Sequence, residues 1–220
     1  MRTISRYLAM FVIIVSVAMA DMTLGYGQLV SGQNAPTFSL KDLSGQIRDL
    51  SQMRDKPLII LYFFDVGSMP SQEGLLSLNQ LAKQHKDSPL TVLAITLSSK
   101  EKVGEFAARS DLTFPIIQDS LNVSDRYGAR LILPTVCIVG PELKVLDYYQ
   151  GGGKATQAML VRLAERELQR RQTALAKAIS EEVVKKNPDD VKAKTVTGYA
   201  ALQEGNVAEA EKAKEEENQF

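Results

Sequence analysis

Residues 63–74 read "FFDVGSMPSQEG", and the architecture hinges on this stretch. Before it stands "PLIILYFF", Pro57 to Phe64, apolar throughout, as a central strand covered on both faces should be. After it, from Pro70 to Lys86, Leu75, Leu76, Leu78, Leu81 and Ala82 recur at helical spacing. Pro70 fits a helix start, where a missing N–H removes no intrahelical bond. The stretch therefore predicts strand, tight turn and helix, with Ser68 and Ser71 at the turn.

The same logic extends outward. "TFSLKDLSGQIRDLS" alternates apolar and polar residues around Ser44-Gly45, the pattern of a β-hairpin. "LTVLAITLS" is a second buried strand, Lys100 to Arg109 a charged helix, "FPIIQD" a short extended piece and Val123 to Tyr127 a brief helix. "TVCIVG" and "KVLDYY" are strands joined at Gly140-Pro141, a turn short enough to make them antiparallel. Strands alternating with helices predict an α/β sheet with covered faces.

From Lys154 the strand signal stops. "QAMLVRLAERELQRRQTALAKAISEEVVKKN" is a long amphipathic helical pattern ending at Asn187-Pro188. The boundary between modules falls at Gly151-Gly152-Gly153. That run is a turn and not a phosphate loop, because position 148 is Tyr148 and Ala155 follows Lys154.

Composition narrows the function classes. The chain has 220 residues, 45% apolar and 24% charged, with Lys plus Arg and Asp plus Glu balanced at 26 each. No bulk field attracts nucleic acid. "MRTISRYLAMFVIIVSVAMAD" places Arg2 and Arg6 before an apolar run, Tyr7 to Val17, and an A-x-A pattern, Ala18-Met19-Ala20. That order predicts a signal peptide over residues 1–20 and a periplasm-like, extracytoplasmic location, with membrane attachment only if the leader stays uncleaved. Residues 21–34, rich in Gly, Gln and Asn, read as a linker. Disulfides persist in such a compartment, yet Cys137 is the single cysteine, so no intramolecular disulfide can form. Within an apolar strand it reads as a packed structural thiol, with a reactive thiol as the alternative.

The order of these pieces resembles the thioredoxin-like fold, and more narrowly its redoxin branch: TlpA-type thiol–disulfide oxidoreductases and AhpC-TSA peroxiredoxin-like proteins. Ala35-Pro36-x-Phe38-x-Leu40, Leu43-x-Gly45 and Leu50-Ser51 carry the family's opening segment, and "FPIIQD", "YGARLILPT" and "CIVGPELKVLDYYQGG" its second half. The resemblance implies a mixed sheet flanked by helices over residues 35–153, followed by a C-terminal all-α helical hairpin tail over 154–220. It also implies that Pro134, between Leu133 and Thr135, is a cis-proline facing the active-site turn; the plainer reading is a proline that begins a strand.

The family's W-C-x-x-C falls on Gly67-Ser68-Met69-Pro70-Ser71, leaving Ser68-x-x-Ser71. Thiol–disulfide exchange needs a thiolate at the helix N-terminus and a second thiol to resolve the mixed disulfide. A serine hydroxyl supplies neither, so no catalytic residue is expected at these degenerate positions. A hydrolytic serine would need a base within reach. The only histidine, His85, lies roughly 20 Å further along the same helix at about 1.5 Å per residue. One histidine and no carboxylate cluster predict no metal, and nothing calls for a cofactor.

In the tail, Pro188, Gly198, Gly205 and Ala210 resemble the small-residue spacing of a tetratricopeptide unit, although Lys194, Ala201 and Lys214 occupy its large positions. A plain helical tail with an acidic end is the alternative. Two functions stand beside a purely structural one, in which the domain merely supports a complex. One is a redox-inactive binding or scaffold module that holds an extended segment of another extracytoplasmic protein against Ser68, Met69, Leu133, Pro134 and Thr135. The other is a redoxin-family thiol–disulfide oxidoreductase or peroxidase that depends on Cys137 or a partner thiol.

Overall fold

The computed structural model describes residues 28–84, 90–208, 210, 211 and 215. The leader, residues 21–27 of the linker and His85 lie outside the described residues.

A small hairpin comes first: β1 (Ser39–Lys41) pairs antiparallel with β2 (Ile47–Asp49), with Leu40 opposite Arg48. Asp42 organises the loop between them, accepting hydrogen bonds from the Ser44 and Gln46 amides, and Gly45 takes the left-handed backbone that the turn requires. The main sheet has the order β5–β4–β3–β6–β7. Strand β3 (Leu58–Phe64) is central, parallel to β4 (Leu90–Thr96) and antiparallel to β6 (Thr135–Val139). β5 (Ile116–Gln118) extends the parallel side and β7 (Val145–Gln150) the antiparallel side.

Helix α1 (Met69–Gln84) follows β3, α2 (Lys100–Ser110) follows β4, and α3 (Val123–Arg126) precedes β6. Every residue of β3 is buried, and side chains alternate between two cores. Leu58, Ile60, Tyr62 and Phe64 face α1, α2 and the tail. Ile59, Leu61 and Phe63 face the N-terminal hairpin, Tyr127 and Cys137. This is the α/β sheet covered on both faces that the apolar runs predict, an arrangement parallel strands demand.

The tail folds differently from its pattern. The continuous helical periodicity breaks into α4 (Lys154–Gln169) and α5 (Thr173–Lys186), because Arg171 takes a left-handed backbone with φ of 60° and Gln172 donates its N–H back to the Glu167 carbonyl. α6 (Val191–Gln203) follows, with Asp190 capping its start through the Ala193 amide. Leu160, Leu163, Leu175, Ile179 and Val183 join the same buried cluster as α1 and the even face of β3. Lys186 hydrogen-bonds Ser77 of α1, and Arg166 pairs with Asp147 of β7. Among the described residues no helix is long and apolar enough to cross a membrane.

Candidate functional site

The site forms where β3 ends and α1 begins. The chain leaves Phe64 and turns through Asp65, Val66 and Gly67 before the helix starts. Asp65, itself exposed, fixes the turn: its Oδ1 accepts the Gly67 N–H at 2.9 Å and the Ser98 hydroxyl at 2.9 Å. The Ser98 oxygen in turn accepts the Val66 N–H, and the Gln72 amide donates to the Val66 carbonyl at 2.7 Å. The turn is thus held from the loop after β4 and from its own helix.

Ser68 and Ser71 sit in unequal surroundings. Ser68 is half-buried, and its hydroxyl accepts the Ser71 N–H at 3.4 Å, the contact a helix-capping side chain makes three residues ahead. Ser71 is fully buried, and its own hydroxyl has no hydrogen-bond partner among the described residues. Its carbonyl accepts the Tyr62 phenol at 3.1 Å. Tyr62 reaches that far because the next turn of α1 carries Gly74, where a Cβ would overlap the phenol oxygen. Burial, with the Glu73 charge as a lesser cause, drives the Tyr62 phenol well above its ordinary value, so it stays a neutral donor. Met69, between the serines, is 66% exposed.

Facing this turn is the segment before β6. The Leu133–Pro134 bond is cis. Leu131 is 92% exposed, Leu133 is half-buried, and Pro134 and Thr135 are buried. Three bonds hold the segment: Gly151 N–H to the Pro134 carbonyl at 2.8 Å, the Thr135 hydroxyl to the Ile132 carbonyl at 2.5 Å, and Gln150 to the Gly128 carbonyl at 2.8 Å. Leu133 itself makes no backbone hydrogen bond among the described residues, through either its N–H or its C=O. Leu133 lines one groove together with Val66 and Gly67, and Thr135 lies opposite Phe63 in the sheet. The glycine run ties both sides together, since a Cβ on Gly152 would overlap Pro70.

Cys137 is elsewhere. It lies in the middle of β6 opposite Leu61, fully buried, with its side chain in the core on the face away from α1. Burial, and then the Asp147 charge, push its thiol up to about 12. A thiol so placed is overwhelmingly protonated and out of reach of the turn. Among the described residues no group of three His, Cys, Asp or Glu side chains clusters as metal ligands would.

Sequence reasoning located both serines and the Leu133–Thr135 edge but missed the groove beside them. Its lining adds Lys102, Glu105 and Arg109 of α2, together with Arg130. Lys102 and Arg109 lie two helical turns apart, a visible spacing. That α2 stands beside the turn follows only from the order of strands in the sheet.

This mixed five-stranded sheet, with a strand-to-helix turn facing a cis-proline segment, defines a thioredoxin-like domain. Residues 31–148 match the model of the AhpC/TSA family, and the chain belongs to that family, within the redoxin branch. It is 33% identical to the thioredoxin-like protein YneN of Bacillus subtilis over 54% of this chain and 71% of that protein. It is 29% identical to the thiol-disulfide oxidoreductase ResA of Halalkalibacterium halodurans, over 56% of this chain and 69% of that one. Among solved structures, a thiol-disulfide oxidoreductase from Bacteroides fragilis superposes with a TM-score of 0.50 at 26% identity, covering 60% of this chain and 99% of that one.

Proposed function

We propose that this chain is a redox-inactive member of its family that works outside the cytoplasm as a binding module, holding an extended segment of another protein against the Leu133–Pro134–Thr135 edge. The observation that carries this reading is the Leu133 backbone: N–H and C=O both unpaired among the described residues, on a half-buried residue, facing a turn that exposes the large apolar side chain of Met69. An extended segment laid there gains strand-type backbone bonds and an apolar contact at once. Ser68, Met69, Leu133, Pro134 and Thr135 are the residues assigned to it, and the helical tail adds a second contact surface. The leader "MRTISRYLAMFVIIVSVAMAD" supports the location.

Two relatives are named as thiol-disulfide oxidoreductases, a chemistry that needs a thiolate at the helix N-terminus. In this chain that position holds hydroxyls, and the only sulfur nucleophile is buried on the opposite face of the sheet. Family membership therefore supports the scaffold and its recognition edge more than the reaction.

The test is selection of short peptides from a random display library on the full chain, followed by fluorescence anisotropy with the enriched sequences. Peptides should bind the wild type, weaken with Met69→Ser, and weaken most with Leu133→Pro, which deletes the free N–H. Enriched peptides indifferent to both substitutions, or no enrichment, contradict the reading.

A further inference from the structure

The glycine run between β7 and α4 touches both sides of the edge at once. Gly151 donates its N–H to the Pro134 carbonyl at 2.8 Å, one residue beyond Leu133. Gly152 lies against Pro70, the neighbour of Met69: a Cβ placed on it would overlap the Pro70 Cβ and stand 3.4 Å from the Pro70 Cα. Gly151 and Gly153 take left-handed backbones, with φ of 90° and 59°, and a Cβ on either would meet nothing within 4 Å. Gly152 is the reverse case. Its backbone lies outside the left-handed region, so it is the Pro70 ring that demands glycine there. Nor can the run retreat towards the tail. The start of α4 is pressed onto α1, since a Cβ on Gly74 would stand 3.2 Å from the Thr156 methyl, and the Gly152 carbonyl accepts the Ala155 N–H at 3.3 Å.

We infer that Gly152 is a positioning residue: its contact with Pro70 sets the separation between Met69 and Leu133, and with it which extended segments the edge accepts. This rests on the edge-binding reading and adds to it the residue that gauges the slot. A carbon added at position 152 meets a ring closed onto the backbone, which cannot swing aside as a flexible side chain would. The run is held on one side by Pro134 and on the other by α4, whereas Pro70 is exposed. The start of α1 therefore gives way, and Met69 moves with it. Leu133 stays, because the Gly151 N–H and the Thr135 hydroxyl hold its segment independently. Close-packed atoms pass such a shift on, since few voids exist to absorb it.

The test uses the peptides enriched from the random library and a reciprocal pair of variants. Gly152→Ala should weaken them roughly fivefold or more, and Pro70→Gly, which empties the contact from the other side, about threefold. The combination Pro70→Gly/Gly152→Ala returns one carbon to the contact and should bind more tightly than either single variant. Gly153→Ala is strained at its left-handed backbone but touches nothing, so it should lose stability in urea and keep its affinity. If Gly152 merely supported the fold, affinity would instead follow stability across the whole set. Affinity that follows stability, affinity unchanged by Gly152→Ala, or a combination no tighter than Pro70→Gly overturns this inference and leaves edge binding standing. Because Pro70→Gly adds no atom, that last comparison holds even where Gly152→Ala folds poorly. No peptide enrichment overturns both.

Discussion

The Ser68–Ser71 turn and the interior of β6 around Cys137 divide between them what thiol chemistry requires. The turn keeps the geometry: a helix start, amide donors, a half-exposed first position and a buried second one. It has no sulfur. Strand β6 has the sulfur, but sealed in apolar surroundings on the far face of the sheet. A nucleophile is a side chain in an environment, and here side chain and environment have come apart. What persists at the turn is shape without a thiol, and disulfide exchange needs the thiol.

The largest effect should come from the Cys137 side. With its thiol pushed up to about 12 by burial, the thiolate fraction at neutral pH falls on the order of a thousandfold below that of an ordinary cysteine. Alkylation of the folded protein by iodoacetamide should be slower by at least that factor than in urea, where modification should be quick and complete. Rapid labelling of the folded chain would break the comparison by giving the strand a working thiol.

Next comes the support of the facing segment. Asp119 accepts the Val123 amide at 2.9 Å and the Ser124 amide at 2.6 Å, fixing α3 ahead of the Leu133 edge. Burial by itself would raise its carboxyl, but the Ser124 and Val123 donors outweigh burial and hold it below the usual range. A depressed folded pKa means the contribution is present above the unfolded value near 4 and fades as pH falls through the folded value. Asp119→Asn should cost about 1–3 kcal/mol at pH 7. In urea titrations that gap should narrow once the solution is acid enough to protonate the wild-type carboxyl.

Smaller effects should separate the two serines. Ser71→Ala removes a buried hydroxyl with no partner and should leave the protein equally stable or more so, by up to about 1 kcal/mol. Ser68→Ala removes a long capping bond and should destabilise by about 0.5 kcal/mol, the low end for such caps. Opposite signs in chemical denaturation would confirm that one position is a half-buried cap and the other a site shaped for a less polar atom. Equal losses would erase the distinction.

Much of the fold was legible in the sequence. The apolar run to Phe64, the hairpin around Ser44-Gly45, and the β6–β7 pair across Gly140-Pro141 follow from periodicity and turn chemistry. The break at Arg171 was not, because "QRRQ" carries no glycine or proline and its helical propensity is good. Packing of α5 back onto α4 overrides that local preference. At the site, both serines could be placed by position alone. Their unequal surroundings could not, since the burial of Ser71 depends on Tyr62 rising from the sheet into the space left by Gly74. The groove over Phe64 and Phe106 was equally hidden, because α2 reaches it only through the crossover from β4.

The most direct measurement is dithiothreitol-driven reduction of insulin, comparing wild type, Cys137→Ala and the double variant Ser68→Cys/Ser71→Cys. Wild type and Cys137→Ala should match the uncatalysed rate, and only the double variant should accelerate it, showing a turn of the right shape deprived of its sulfurs. Acceleration by the wild type that disappears in Cys137→Ala would contradict this account and make the buried cysteine the working residue.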